Sequence, residues 1–191
     1  AVLGDEILSL KAGANRPTLV FASTWSPSGT MVATEIFEAT CRVDRRIGYE
    51  TTDYLLTGAE PDDPATAMLE QAEHWMAIHL RKRFERGAMS FPRHEAHFSS
   101  DEEGTLTLDV SDPDGRARQL IAEMMVMVGS LAAAFCQERS IPALFRCQAP
   151  ADLDLPDGRV SDPYERHQVL RQLKPTKVSV SPGPHGTLGL E

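Results

Sequence analysis

Cysteine is scarce in this chain of 191 residues, and Cys41, Cys136 and Cys147 lie far apart. An odd number without metal-ligand spacing argues against a disulfide framework and a zinc site, and is typical of a reducing compartment. Long apolar runs are also lacking. The longest uncharged one, residues 124–137, is too short to span a bilayer, and no basic start precedes an apolar signal core. We therefore expect a soluble protein without a membrane partner.

Basic residues are outnumbered, since 19 Lys and Arg face 28 Asp and Glu and the net charge is −9. This charge argues against non-specific nucleic-acid binding through the whole surface, but it leaves room for a local basic channel. The chain has neither a GxxxxGK phosphate loop nor a GxSxG nucleophile elbow. With 41% hydrophobic residues it can build a core, as one domain or as part of a larger one.

Turn-forming residues mark two β-hairpins. β-rich runs at 17–24 and 30–43 flank "SPSG", where Pro sets φ and Gly supplies a positive φ. Two shorter strands flank "DEEG", and further strands are expected at "PALFRCQ" and "KVSVS". Because strands and helices do not alternate regularly, we predict an α+β fold, with a mixed or antiparallel sheet and two hairpins packed against three main helices.

The clearest helix lies in "DDPATAMLEQAEHWMAIHLRKRFERG", where Asp63 is a plausible N-cap, Pro64 fits the first turn and Gly87 fits the C-terminal stop. Apolar positions at helical spacing predict its buried face: Met68, Ala72, Trp75, Met76, His79, Leu80 and Phe84. Basic residues crowd its last turns, where the helix dipole favours cations: Arg81, Lys82, Arg83 and Arg86. These side chains could touch phosphate, but the pattern favours solvated side chains at a helix end. Two shorter helices have similar signals: one capped by Thr51 or Thr52 and ended by Gly58, and one from Asp162–Pro163 through Leu173.

A long apolar helix begins near Arg116 and leads into "PALFRCQ". Projection at about 100° per residue gathers its large apolar side chains into a core stripe: Leu120, Ile121, Met124, Val128, Leu131 and Phe135. Small residues form a second stripe: Ala122, Gly129 and Ala133. Glu123, in the middle of the helix, falls on a third side with Gln119, Met127, Ser130 and Gln137. Helical geometry alone therefore favours a solvated or capped carboxylate.

The order of motifs resembles the catalytic domain of the ribonuclease II/ribonuclease R family, called the RNB domain. The motifs are "SLKAGANRPTLVFASTWSPSGT", "RRIGYETTDYLL", "RGAMSF", "LIAEMMVMVGSLAAAF", "PALFRCQ" and "PGPHGTLGLE". They cover nearly the whole chain, and the resemblance rests on the ordered set. The Ala-Glu and Met-Val-Gly details are closer to the cyanobacterial and organellar branch, which implies a bacterial cytoplasm or an organelle.

The resemblance implies processive 3′→5′ hydrolysis of single-stranded RNA to nucleoside 5′-monophosphates, with magnesium (Mg2+) held by an aspartate cluster. Two hard cations on carboxylates can activate water and stabilise the leaving oxygen. In the family that cluster lies before the point where this sequence begins, and an arginine-bearing motif follows the point where it stops. We therefore expect residues 1–191 to form a partial RNB domain, without metal ligands or catalytic residues of its own and inactive alone.

What the resemblance leaves to this chain is the wall of a channel that holds the RNA 3′ end. Tyr49, in "RRIGYE", matches a family tyrosine that contacts the terminal nucleotides, where a phenol can stack and can bond a 2′-hydroxyl. Phe91, in "AMSF", matches a family aromatic that clamps stacked bases. Glu123 matches an acidic position that accepts a hydrogen bond from ribose. Many members carry two successive acids, whereas this chain has Ala122 before Glu123, and either position can be the RNA-facing one.

Two further candidates lie near the C-terminal end. Arg146, in "ALFRCQ", keeps a family arginine, although many relatives have His where this chain has Gln148. A buried structural role and an RNA contact both remain open for Arg146. His185, in "PGPHGTLGL", keeps a family histidine beside a Gly-rich turn whose glycines permit close backbone approach. The full set of expected RNA-binding residues is Tyr49, Phe91, Glu123, Arg146 and His185.

Two other functions remain open. One is an RNA-binding module without activity, which keeps the stacking wall but lacks the aspartates. The other is an α+β protein-interaction domain without a nucleic-acid role, for which the net charge of −9 is the warrant.

Overall fold

A computed structural model describes residue 4 and residues 7–190, apart from 93, 95, 102, 111, 113, 152, 154, 156 and 157. The chain divides into two compact units, Ala1–Glu70 and Gln71–Glu191. Both helices and antiparallel strands are present, which confirms the predicted α+β class.

The first unit contains the longest hairpin. Strand β1 (Asn15–Trp25) pairs antiparallel with β2 (Met31–Arg42). The chain reverses at the "SPSG" turn, where Gly29 has φ of 72° and its N–H donates to the Ser26 carbonyl at 2.8 Å. The hairpin predicted from this turn is confirmed.

Helix α1 (Tyr49–Leu56) follows in the same unit and buries Leu55 and Leu56. Its N-cap is Gly48, so the predicted cap at Thr51 or Thr52 is wrong. The physical reason is that Thr52 lies inside the first turn, where its N–H donates to the Gly48 carbonyl at 2.9 Å.

Helix α2 (Pro64–Glu85) has the predicted ends. The Asp63 carboxylate accepts a hydrogen bond from the Ala65 N–H at 2.8 Å, and Gly87 ends the helix with φ of 87°. Within the second unit, Met76 and His79 are buried as predicted. In the first unit, Met68 is exposed, which contradicts its predicted place on the buried face.

The remaining strands form two more antiparallel pairs: β3 (Ala96–Ser100) with β4 (Leu106–Val110), and β5 (Phe145–Cys147) with β6 (Lys177–Ser179). Both predicted hairpins are therefore present. Among the described residues the strands are distributed over three two-stranded sheets, rather than joined in one.

Helices α3 (Arg116–Glu138) and α4 (Pro163–Gln172) complete the second unit. Asp162 caps α4 as predicted, accepting hydrogen bonds from the Tyr164 and Glu165 N–H groups. Helix α3 buries Leu120, but it exposes Ile121, which had been placed in the core stripe. Residues 124–137 alone are too short to span a bilayer, but the whole of α3 is long and apolar enough to cross a membrane, by length and composition only.

Candidate functional site

Glu123, in the middle of α3, is buried with only 4% of its surface exposed. Of the two expectations for this carboxylate, solvated or capped, the solvated one is therefore wrong. The residue before it, Ala122, is exposed. The cause is a set of donors from α2, which projection of a single helix does not reveal. Ala122 and Glu123 were the two candidates for RNA contact on this helix. The exposed one is Ala122, whose side chain is only a methyl group.

Arg83 of α2 is the main partner of Glu123 and is itself buried, which overturns the expectation that it is solvated. Its Nε donates to Glu123 Oε1 at 2.8 Å, and its Nη2 donates to Oε2. Its Nη1 donates to the Leu188 carbonyl at 2.7 Å. His79 Nδ1 lies 2.5 Å from Glu123 Oε1. A signal was available, because His79 was placed on the buried face and Arg83 follows it by four residues on the same side of the helix.

Burial alone would raise the pKa of the Glu123 carboxyl. The hydrogen bonds and charge of Arg83, together with His79, outweigh that effect and lower its pKa. Glu123 is therefore an anion at neutral pH, and both of its oxygens already accept hydrogen bonds from protein groups.

A second ion pair joins the same two helices. Arg116 of α3 donates from Nε to Glu73 Oε1 at 2.6 Å and from Nη2 to Oε2 at 2.5 Å. This pair is more exposed, since the side chains of Arg116 and Glu73 show 47% and 29% of their surface. Two bidentate pairs of very different burial thus connect α2 and α3.

The turn at Gly186–Leu188, a single 3-10 turn, lies where Arg83 points. The His185 carbonyl accepts the Leu188 N–H at 2.9 Å, and the His185 N–H donates to the Leu190 carbonyl at 2.9 Å. Gly189 follows with φ of 59°, and a Cβ there would stand 2.4 Å from the Arg83 carbonyl oxygen. Only glycine fits this close approach between the turn and the end of α2.

Phe91 is half-buried and follows a short segment that backbone hydrogen bonds hold on two sides. The Met89 N–H donates to the Thr187 carbonyl at 2.9 Å, which ties the segment to the Gly186–Leu188 turn. The Ser90 N–H donates to the Gly158 carbonyl at 2.6 Å, and Ser90 accepts from the Val160 N–H at 3.0 Å. The aromatic ring is therefore carried on a fixed piece of backbone.

Arg146, in β5, is exposed, so the buried structural role does not apply. Gln148, where many relatives have His, is buried and structural. Its side-chain oxygen accepts the Thr187 N–H at 3.1 Å, and its amide donates to the Lys174 carbonyl at 2.7 Å. Its main chain bonds Pro184 and Gly186, which joins β5 to the turn.

His185 lies beside this junction with its Nδ1 buried and without a hydrogen-bond partner among the described residues. Burial lowers the pKa of its imidazole, and the positive charge of Arg146 lowers it further. At neutral pH His185 is thus an uncharged imidazole, which can donate or accept a hydrogen bond but does not supply a cation.

Four of the five expected residues are related to the Gly186–Leu188 turn, each by a different route. His185 borders the turn, and Glu123 reaches it through Arg83. Met89, two residues before Phe91, bonds Thr187, and Arg146 acts on His185 through its charge. We call this group the turn cluster. Tyr49 belongs to the first unit, where it is the first residue of α1 and 44% exposed. The RNA-binding role of all five residues stays a prediction.

The turn cluster offers an exposed guanidinium, a neutral imidazole and an aromatic ring. These groups can bind a phosphate, bond a hydroxyl and stack on a base. Among the residues that the structure describes, no three His, Cys, Asp or Glu side chains come together as a metal site.

The family model described as "RNB domain" matches residues 1–181. An uncharacterised ribonuclease of Synechocystis is 31% identical over 193 residues, which cover 96% of this chain and 28% of that protein. Ribonuclease R of Escherichia coli is 26% identical, over 90% of this chain and 24% of its own length. The chloroplastic/mitochondrial ribonuclease II of Arabidopsis thaliana is 23% identical, over 98% and 24%. The chain thus spans about a quarter of the length of these curated relatives.

Solved structures show the same fold. Mycoplasma genitalium ribonuclease R in complex with ribose-methylated single-stranded RNA aligns with a TM-score of 0.74 at 18% identity, over 98% of this chain and 35% of that one. The same protein in complex with double-stranded RNA aligns with a TM-score of 0.79 at 18% identity, over 99% and 40%. The arrangement of helices and hairpins is therefore one already seen in those proteins.

Proposed function

We propose that this chain, which belongs to the RNB domain family, is part of an exoribonuclease that hydrolyses single-stranded RNA processively from the 3′ end to nucleoside 5′-monophosphates. The observation that carries the proposal is the family match over residues 1–181, together with relatives named as ribonucleases. Because the chain spans about a quarter of those relatives, activity is assigned to the whole protein and not to these 191 residues alone.

The role of this segment is to hold RNA. Phe91 stacks on a base, and exposed Arg146 binds a phosphate. His185, next to the Gly186–Leu188 turn, lies against the RNA strand. Tyr49 is proposed as a second aromatic contact that also checks the 2′-hydroxyl. Supporting this role, Met89, two residues before Phe91, bonds the turn that His185 borders. The charge of Arg146 acts on His185, and Tyr49 is partly exposed.

Glu123 receives a different role from the one the resemblance implied. Its two oxygens are engaged by Arg83 and His79, and it is buried. A carboxylate in this state organises the residues around it, whereas the exposed neighbour Ala122 has no group that can bond a ribose hydroxyl. We propose that Glu123 acts on RNA indirectly, by holding Arg83 and through it the Gly186–Leu188 turn.

Magnesium is proposed as the cofactor of the whole enzyme, with ligands outside residues 1–191. RNB-family nucleases are in general metal-dependent hydrolases, and a divalent ion would activate the attacking water. The described residues hold no group of side chains that fits the metal, and the steps assigned to this chain are binding and orientation. Relatives from bacteria and from chloroplasts or mitochondria support a bacterial or organellar location.

The family match over residues 1–181 also supports a second candidate, an RNA-binding module that has no nuclease activity. One experiment separates the two. The full-length protein is given single-stranded RNA labelled along its whole length, with magnesium or with chelator. A processive 3′→5′ nuclease converts the RNA into labelled mononucleotides with few intermediate lengths, and does so only with magnesium. Tight binding without shortening supports the inactive module, and neither binding nor shortening contradicts both candidates.

A further inference from the structure

Arg83 makes one contact that a simple ion pair with Glu123 does not need. The same guanidinium that grips the carboxylate in α3 also donates from Nη1 to the Leu188 carbonyl at 2.7 Å. One buried side chain therefore joins three elements: α2, α3 and the Gly186–Leu188 turn. A planar guanidinium can do this because its donors point in fixed directions, whereas a lysine ammonium is a single point charge.

The main chain of Arg83 supports the same turn from a second direction. Its carbonyl oxygen stands 2.4 Å from the position that a Cβ would take at Gly189. The turn thus meets Arg83 through a hydrogen bond at Leu188 and through close packing at Gly189. Together these contacts set the distance between the turn and the end of α2.

The Gly186–Leu188 turn also fixes the backbone at or near two of the proposed RNA contacts, His185 and Phe91. His185 bonds the Leu188 N–H through its carbonyl, and Thr187 accepts the Met89 N–H two residues before Phe91. A shift of the turn therefore moves both the imidazole and the backbone that carries the aromatic ring. Displacements of about 1 Å in a binding site can lower catalytic efficiency by about a hundredfold.

We infer that Arg83 is a positioning residue for RNA binding: held by Glu123, it fixes the Gly186–Leu188 turn and thereby places His185 and Phe91 against the RNA strand. This inference rests on the proposed function, since it concerns how that RNA is held. It concerns a residue that touches no RNA itself.

The test is a double-mutant cycle in the full-length protein, with kcat/KM for single-stranded RNA as the readout. Arg83→Lys is expected to lower kcat/KM about tenfold to a hundredfold. The double variant Arg83→Lys with His185→Ala should lose no more kcat/KM than the more damaging of the two single variants. A displaced turn has already lost the His185 contact, so the product of the two single effects should exceed the double effect at least fivefold. A merely structural role would give effects that multiply.

Arg86 supplies the matched control, because it lies three residues on in the basic end of α2, is exposed and bonds the Lys82 carbonyl. Arg86→Lys should change kcat/KM less than twofold and should multiply with His185→Ala. A second variant, Gly189→Ala, leaves both charges in place and pushes the turn away from the Arg83 carbonyl. It should show the same non-multiplying cycle with His185→Ala even if Arg83→Lys fails to fold.

The outcomes are distinguishable. Absence of RNA shortening by the wild-type protein refutes the proposed function. If the wild type degrades RNA, two results overturn the inference. One is an Arg83→Lys variant that is folded and as active as Arg86→Lys. The other is a cycle with His185→Ala, for a folded Arg83→Lys variant or for Gly189→Ala, in which the two effects on kcat/KM simply multiply. Non-multiplying cycles for both variants support it.

Discussion

Removing the charge of Glu123 should loosen the contact between α2 and α3 far more than removing the charge of Glu73. In Glu123→Gln, two guanidinium donors and the His79 nitrogen lose a charged acceptor, and Arg83 is left buried without a counter-charge. Breaking a buried pair in this way costs about 3 to 5 kcal/mol. The retained amide oxygen places the expected loss near the lower end, about 3 kcal/mol, which is more than a hundredfold in an opening equilibrium.

Hydrogen exchange followed by mass spectrometry on the full-length protein measures the opening of the α2–α3 contact locally, so the rest of the protein need not unfold. Peptides from residues 71–85 and 117–138 should exchange more than a hundredfold faster in Glu123→Gln. Glu73→Gln is the control, since it breaks the exposed bidentate pair with Arg116 and should cost no more than about 1 kcal/mol. Replacing the whole pair, Arg83→Met with Glu123→Leu, should cost less than either charge-removing single change, because no unpaired charge stays buried.

Equal exchange rates in Glu123→Gln and Glu73→Gln would refute the reasoning. So would a double replacement that is less stable than both single variants. Either result would mean that burial of the Glu123–Arg83 pair does not set its contribution.

Three further predictions concern RNA and pH. Phe91→Ala should weaken single-stranded RNA binding by about 1 to 3 kcal/mol, measured by fluorescence anisotropy. Phe98→Ala on the exposed β3–β4 hairpin is the control and should bind RNA as the wild type does. Equal affinities of the two variants would exclude a stacking role for Phe91. Tyr49→Ala should relax the preference for RNA over DNA or change the final product length, whereas Tyr54→Ala on the same helix should not; indistinguishable cleavage of both polymers would show that Tyr49 has no such role. The lowered pKa of His185 favours the neutral imidazole in the folded state, so its contribution to stability is full above the unfolded pKa of about 6.5 and is lost as pH falls through the folded pKa. His185→Gln should therefore reduce the fall in melting temperature below pH 6.5, and exposed His167→Gln should leave it unchanged.

Local signals predicted the elements well. Asp63, Gly87 and Asp162 marked helix ends, and "SPSG" marked the long hairpin, because caps and turns depend on residues close in sequence. The pairing of Glu123 with Arg83 spans 40 residues, and no helical projection distinguishes a side chain that faces solvent from one that faces a buried partner. Strand pairing has the same limit. Strands β5 and β6 pair although the whole of α4 lies between them in sequence, so local sequence does not predict that they are partners.

Of the expected site, the resemblance supplied the residues and the structure supplied their relations. Phe91, Arg146 and His185 were identified by their motifs. The hydrogen bonds of Met89 and His185 at the Gly186–Leu188 turn, and the effect of the Arg146 charge on His185, became visible only in the structure. Arg83 was missed because a run of basic residues at a helix end is ordinarily solvated. Glu123 was found, but its position on a third side of α3 concealed what it faces.

The two ion pairs between α2 and α3 occur in the same order along both helices: Glu73 with Arg116, then Arg83 with Glu123. At about 1.5 Å per residue, antiparallel neighbours would separate the second pair by about 25 Å, so the helices share a direction. The chain must therefore travel back along α2 before α3 begins. The β3–β4 hairpin belongs to this return path, so its tip should accept inserted residues, whereas a graft that connects the two helices by a tight loop should not fold.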